Sequence, residues 1–155
     1  MYKCKHFKLM ELVPPSIIRD YGDSAWQFLD ERALRMLDKL RDKFGKIIVN
    51  DWSWHGENKY RGFRPHYCRI GAKQSQHRFG RAFDCIFPEL DSTSQRSGGV
   101  ENNPESTFDS YDKIRQYILD NPQEFRYINA LETGCNWLHF DVRNCENRIM
   151  TFRMI

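Results

Sequence analysis

Apolar residues recur at three- and four-residue steps through Trp26, Leu29, Ala33, Leu37, Leu40 and Phe44, which sets them on one stripe of a long amphipathic helix. Ser24, with Gln27 three positions on, reads as the capping box that opens this helix, and Gly45 as the cap that closes it. Ahead of it, Val13-Pro14-Pro15 starts a shorter helix, because proline fits a first helical turn, and Tyr21-Gly22-Asp23 ends it. Residues 1–10 read as an extended arm. Farther on, Tyr111, Ile114, Ile118 and Leu119 mark a second amphipathic helix that stops at Asn121-Pro122.

Elsewhere the pattern changes to period two. Lys46 to Asn50 is rich in branched residues and reads as a strand, and so does the apolar run from Arg81 to Phe87. In the segment from Asn136 to Val142, Trp137, His139 and Asp141 share one face, while Leu138, Phe140 and Val142 share the other. Tyr127 to Leu131 forms its hairpin partner, joined near Thr133-Gly134, and Arg148 to Ile155 adds an edge strand. Helices come mostly before and between strands, and the last strands follow one another. That order predicts an α+β fold with an antiparallel sheet and helices on one face. Two stretches carry no periodicity. Residues 51–74 form a long irregular segment rich in aromatic residues, of the kind that usually serves function. Residues 88–104 read as a polar surface loop.

A chain of 155 residues, 40% hydrophobic, with eleven Phe, seven Tyr and four Trp, builds one core without staples, so residues 1–155 read as a single domain. The formal charge of +3 suits an anionic polymer but is too small to argue for nucleic acid. No apolar run approaches the roughly 20 residues needed to span a bilayer, and no apolar signal core follows Met1-Tyr2-Lys3-Cys4. The five cysteines are an odd number without a Cys-x-x-Cys pair, which reads as free thiols in a protein made in cytoplasm.

The chemistry gathers in Ser75-Gln76-His77-Arg78-Phe79-Gly80-Arg81-Ala82-Phe83-Asp84 and in Trp137-Leu138-His139-Phe140-Asp141. His77, Asp84 and His139 make a three-ligand set of the type that leaves a fourth position open on zinc. Ala82, on the same strand face as Asp84, leaves room beside it, and Gly80 permits the bend that folds His77 back. In the irregular segment, Arg61 and Arg64 are candidates to grip a substrate carboxylate through paired hydrogen bonds; each also has a structural reading as a salt bridge or a stack on tryptophan. Asp141 reads equally as a carboxylate orienting a ligand histidine and as a strand-end residue bonded to Arg143 or a backbone amide.

The spacing Ser-x-His-x-x-Gly-x-Ala-x-Asp followed by Trp-x-His-x-Asp resembles the zinc D-Ala-D-Ala carboxypeptidase family, which includes phage endolysins cutting L-Ala-D-Glu bonds and shares its fold with the Hedgehog signalling domain. Tyr60-Arg61-Gly62-Phe63-Arg64-Pro65 and Phe7 to Val13 resemble small phage-encoded members. The resemblance implies one zinc per chain held by His77, Asp84 and His139, with substrate contacts from Arg61, Arg64, Ser75 and Trp137. It implies hydrolysis of peptidoglycan stem peptides, by a free lysis enzyme or by a component of the phage particle. Such a protein would be made in host cytoplasm and act on the cell wall, with no nucleic-acid partner. Several members carry an acidic residue three positions before the last zinc histidine, where this chain has Asn136. An amide accepts no proton from water, so Glu132 is expected to serve as the base. Hedgehog-like relatives that keep the zinc without catalysis imply an alternative, a zinc-stabilised binding or virion structural protein.

Overall fold

The computed structural model describes residues 1–90, 104–145 and 149–153, and of residues 104–109 the backbone. The polar loop expected over residues 88–104 therefore lies almost wholly outside the described residues. The fold is mixed α+β. Helix α1 spans Pro15–Tyr21, α2 Glu31–Phe44 and α3 Pro104–Asp120. Strands β1 (Ala82–Cys85), β2 (Ala130–Glu132), β3 (Leu138–Asp141) and β4 (Met150–Phe152) form one sheet in the order β1-β3-β2-β4.

The apolar stripe folds as expected over most of its length, but the start of α2 is corrected. Residues Gly22–Phe28 form a 3-10 segment, and the N-cap is Asp30 instead of Ser24. Asp30 accepts from the Arg32 amide at 2.9 Å, and its own amide donates to the Gly80 carbonyl at 2.9 Å. That second, long-range bond pins residue 30 where the helix begins, so tertiary contact overrides the local capping signal. Trp26 and Leu29 remain buried in the core although neither belongs to the helix. Gly45 caps α2 at φ 88°, a conformation that favours glycine. Leu34, Leu37 and Leu40 are fully enclosed, each contributing about 1.5–3 kcal/mol by burial.

The arm of residues 1–10 is held by buried Asp38, which accepts from Tyr2 Oη (2.7 Å) and from the Lys5 and His6 amides (2.7 and 3.1 Å). One further expectation changes. The segment Lys46 to Asn50 makes only an isolated bridge between Ile48 and Ile86.

The sheet is mixed, not purely antiparallel. β3 pairs antiparallel with both β1 and β2, so neither of its edges is free. β4 therefore lands on the outer edge of β2, where its direction makes the pairing parallel. The alternation of side chains divides the sheet's faces. Phe83, Cys85, Leu131, Leu138 and Phe140 join the core cluster with the buried residues of α2 and α3. Asp84, Glu132, His139 and Asp141 occupy the opposite face, and they too are buried. A sheet with one face packed on helices and four ionisable groups enclosed on the other must offset their burial with polar partners or with a shift toward the uncharged form.

Candidate metal centre

The antiparallel register puts Asp84 directly opposite His139, and Ala82 opposite Asp141. His77 arrives from a 3-10 turn over Gln76–Phe79 that ends at Gly80, φ 66°. A Cβ at Gly80 would fall 1.8 Å from the Phe28 carbonyl oxygen, so this position needs glycine for space as well as for conformation. The irregular segment closes over both: the Asp84 amide donates to the Arg61 carbonyl (2.8 Å), and the Arg64 amide to the His77 carbonyl (3.1 Å).

Hydrogen bonds decide which atoms of the three side chains are free. His77 Nδ1 lies 2.9 Å from the Gly62 carbonyl, which can only accept, so Nδ1 carries the proton and Nε2 offers its lone pair. His139 Nε2 lies 3.4 Å from Asp141 Oδ2, which leaves Nδ1 facing inward. Asp84 Oδ2 accepts from Arg64 Nη2 at 2.9 Å, so Oδ1 is the oxygen turned to the histidines. Those three inward atoms converge: His139 Nδ1 to Asp84 Oδ1 is 2.7 Å, His77 Nε2 to Asp84 Oδ1 is 3.3 Å, and His77 Nε2 to His139 Nδ1 is 3.3 Å. The group is buried and could hold a metal ion. Three acceptors facing one another demand a positive charge among them, either a proton on His139 or a cation.

The electrostatics carry the same demand. Burial disfavours the charged form of His139, but its hydrogen bonds to Asp141 and Asp84 outweigh this and raise its pKa to about 9. Burial dominates at His77 and lowers its pKa against the pull of Asp84. At Asp84 burial works upward, yet the two histidines hold the carboxyl well below the usual carboxylate range. The outward nitrogens are each held by an oxygen, the arrangement that fixes the tautomer and orientation of metal-ligating histidines.

A cavity of about 400 Å³ opens over this group. Among the sequence-predicted residues, Arg64, Ser75, Glu132, Trp137 and Asp141 line it with the three candidate ligands, and Arg61 does not. Arg61 stacks over the Trp137 ring at 5.4 Å, and its amide donates to Asn50 Oδ1. Arg64 is buried with Nε on the Tyr60 carbonyl (2.6 Å) and Nη2 on Asp84. Asp141 faces His139 Nε2 and accepts from the amide, Nε and Nη2 of Arg143 (3.1, 2.8 and 2.5 Å). Glu132 ends β2, one position past the Leu131–Phe140 pair. Its carboxylate is bonded to no described residue, and burial raises its pKa, with the His139 and Asp84 charges acting in opposite senses. Asn136 is exposed in the turn before β3 and does not line the cavity.

Lining residues not foreseen there include Gln76, Phe152 and Arg143, the last named only as a partner for Asp141. Gln76 sits inside the histidine motif at a position without a constraint of its own; its Oε1 and the Trp137 Nε1 are buried without a partner among the described residues. Phe152 meets the His139 ring edge-on at 5.6 Å, which depends on the unforeseen pairing of β4. Arg143 lies under the cavity rim with its guanidinium over Phe152. Comparison with known protein families, with curated proteins and with solved structures finds no match. Among the described residues no helix is long and apolar enough to cross a membrane.

Proposed function

We propose that this chain is a zinc peptidase that hydrolyses peptide bonds in bacterial peptidoglycan stem peptides. The observation that carries the reading is that two neutral-capable imidazole nitrogens and one carboxylate oxygen converge in a cavity that also holds a buried glutamate with no partner among the described residues. The donor set fits zinc, whose common ligands are nitrogen and carboxylate oxygen, with three protein ligands in catalytic sites. Zinc, when bound, would supply a Lewis acid for the scissile carbonyl and bring a water molecule's pKa near neutrality.

The chain's own residues would do the rest. Glu132, held at the cavity wall by its place at the end of β2, takes a proton from water as the oxygen attacks the carbonyl carbon. It returns that proton to the amine nitrogen as the C–N bond breaks. Asp141 holds the His139 ring through Nε2, and Arg64 holds Asp84 through Oδ2, so both ligands keep their orientation. The β1-β3-β2 core with Asp84, His139 and Glu132 on one face supports a Hedgehog- and D,D-peptidase-like arrangement. In this reading the protein is made in a host cell and reaches the wall as a free endolysin or as part of a phage particle.

The test is incubation of purified peptidoglycan with the zinc-loaded chain, with and without chelator, followed by mass spectrometry of the released muropeptides. Chelator-sensitive release of fragments cut in the stem peptide is expected. A chain that binds zinc but releases nothing would instead be a zinc-stabilised binding or virion structural protein.

A further inference from the structure

Beside the metal cavity lies a second depression of about 640 Å³, and Arg143 lines both. No acidic residue lines it among the described residues; Arg32, Arg126 and Arg143 do, together with Tyr127, Asn129 and Asn144. Its floor is tied together by Asn129. With the side-chain amide oriented so that Nδ2 donates, it bonds the carbonyls of Tyr127 (3.1 Å) and Arg143 (2.9 Å), while the Asn129 backbone bonds Asp141 and Met150. Among the described residues, two of the three lining guanidinium groups are paired with carboxylates. Asp30 is divided between Arg32 (2.7 Å) and Arg81 (3.5 Å), and Asp141 serves Arg143. Arg126 pairs with no described carboxylate; it donates to Tyr127 Oη at 2.9 Å and lies over that ring at 4.7 Å.

We infer that this depression is an anion subsite continuous with the metal cavity, which receives a carboxylate of the substrate peptide away from the bond that is cut. The inference deepens the peptidase reading and rests on it for the identity of the peptide. The chemistry of the site points to a carboxylate: a planar guanidinium grips a carboxylate through parallel bonds, Arg126 has no described carboxylate partner while Arg32 and Arg143 already hold Asp30 and Asp141, and the stacked tyrosine holds Arg126 in place at little entropic cost. Arg143 links the two halves, since the side chain that steadies Asp141 also forms the wall of the subsite.

The test compares a stem pentapeptide carrying a free glutamyl α-carboxylate with the same peptide amidated at that position. The zinc-loaded chain and its Arg126→Ala and Arg126→Glu variants are assayed with both. Arg126 is exposed and outside the metal cavity, so zinc content and melting temperature should stay unchanged in both variants. The unaltered chain should show a KM about three- to tenfold lower for the carboxylate form at low salt, as expected for a partly solvated charge pair. Arg126→Ala should remove most of that difference at unchanged kcat, and Arg126→Glu should reverse it. If neither peptide is cut, Kd values from titration calorimetry replace KM: charge-selective binding lost in Arg126→Ala would then uphold the subsite while refuting the peptidase reading. Turnover that ignores the amidation, or short duplex DNA bound at low salt more tightly than either peptide, would overturn the subsite.

Discussion

His139 Nδ1 lies 2.7 Å from Oδ1 of Asp84, the residue directly opposite it in the β1–β3 register. Two of the three candidate ligands are thus placed by the backbone pairing of β1, at the sheet's edge, with β3 inside it. Only His77 depends on a turn, and that turn is held by Gly80 and by the Arg64 amide on its carbonyl.

The first prediction is metal stoichiometry. One zinc per chain is expected by elemental analysis, falling to background when His77→Ala and His139→Ala are combined. Because the ion would bind only the folded chain, removing it should lower the melting temperature. The lost stability is about 2.7 kcal/mol if free zinc stood at 100 times its Kd. Full zinc retained by the double variant would reject these ligands.

Arg64 and Arg61 should behave differently on replacement by lysine. Arg64 spans two fixed acceptors, the Tyr60 carbonyl and Asp84 Oδ2, in a buried place. A single ammonium cannot reproduce that fork, so Arg64→Lys should weaken zinc affinity by about 10–100-fold, the range typical of groups that orient a ligand. Arg61 lies outside the cavity, and Arg61→Lys should leave the affinity within about twofold. Competition with a zinc chelator of known affinity measures both. Equal effects would mean that Arg64 does not hold Asp84.

Gly80→Ala tests the turn. Its Cβ would meet the Phe28 carbonyl at 1.8 Å, and its φ of 66° is strained for alanine. A loss of at least about 1–3 kcal/mol in urea unfolding is expected, with weaker zinc binding because His77 moves with the turn. A variant as stable as the original would show that the contact relaxes without consequence.

Asp30 predicts a pH dependence of stability. Burial works upward on its carboxyl, but the Arg32 hydrogen bonds and the charges of Arg32 and Arg81 prevail and hold it below its ordinary value. A carboxyl lowered in the folded state stabilises above its unfolded pKa, and that stability is lost as pH falls through the folded value. The stability gap between the original chain and Asp30→Asn should therefore be about 1 kcal/mol near pH 6 and shrink from about pH 4 downward. Denaturant titrations at several pH values measure it. A gap that stays constant with pH would assign the effect to shape alone.

Much of this site was legible in the sequence, for physical reasons that differ by element. The faces of β3 follow from strict alternation, and Gly80 from the bend its neighbours require. The Ser24 cap misled because Ser24 and Gln27 satisfy a local rule, while Asp30 wins through a bond to Gly80 fifty residues away. The parallel pairing of β4 was hidden for a similar reason: it follows from both edges of β3 being occupied, a fact about the whole sheet. Phe152 entered the site by that route and could not be read from its own neighbourhood, whereas Arg143 reaches the site through Asp141, two residues before it.

The last prediction is that Glu132 acts as the general base. Asp84 is committed through both oxygens, to the histidines and to Arg64. Asp141 is fully enclosed and carries three bonds from Arg143 besides facing His139. Asn136 accepts no proton and is turned to solvent away from the cavity. Glu132 alone among the cavity's carboxylates has no partner among the described residues, and the burial that raises its pKa makes it a better proton acceptor than an exposed glutamate. Glu132→Gln keeps the shape and should keep the zinc and the melting temperature, while the chemical rate on stem peptide falls by about 10²–10⁴-fold. Asp141→Asn serves as the contrast: it should lower zinc affinity by about 10–100-fold, since it loosens His139, and recover much of its activity when zinc is supplied in excess. Single-turnover rates at saturating zinc separate the two. Full activity in Glu132→Gln, or a loss in Asp141→Asn that excess zinc does not restore, would move the role of base to Asp141.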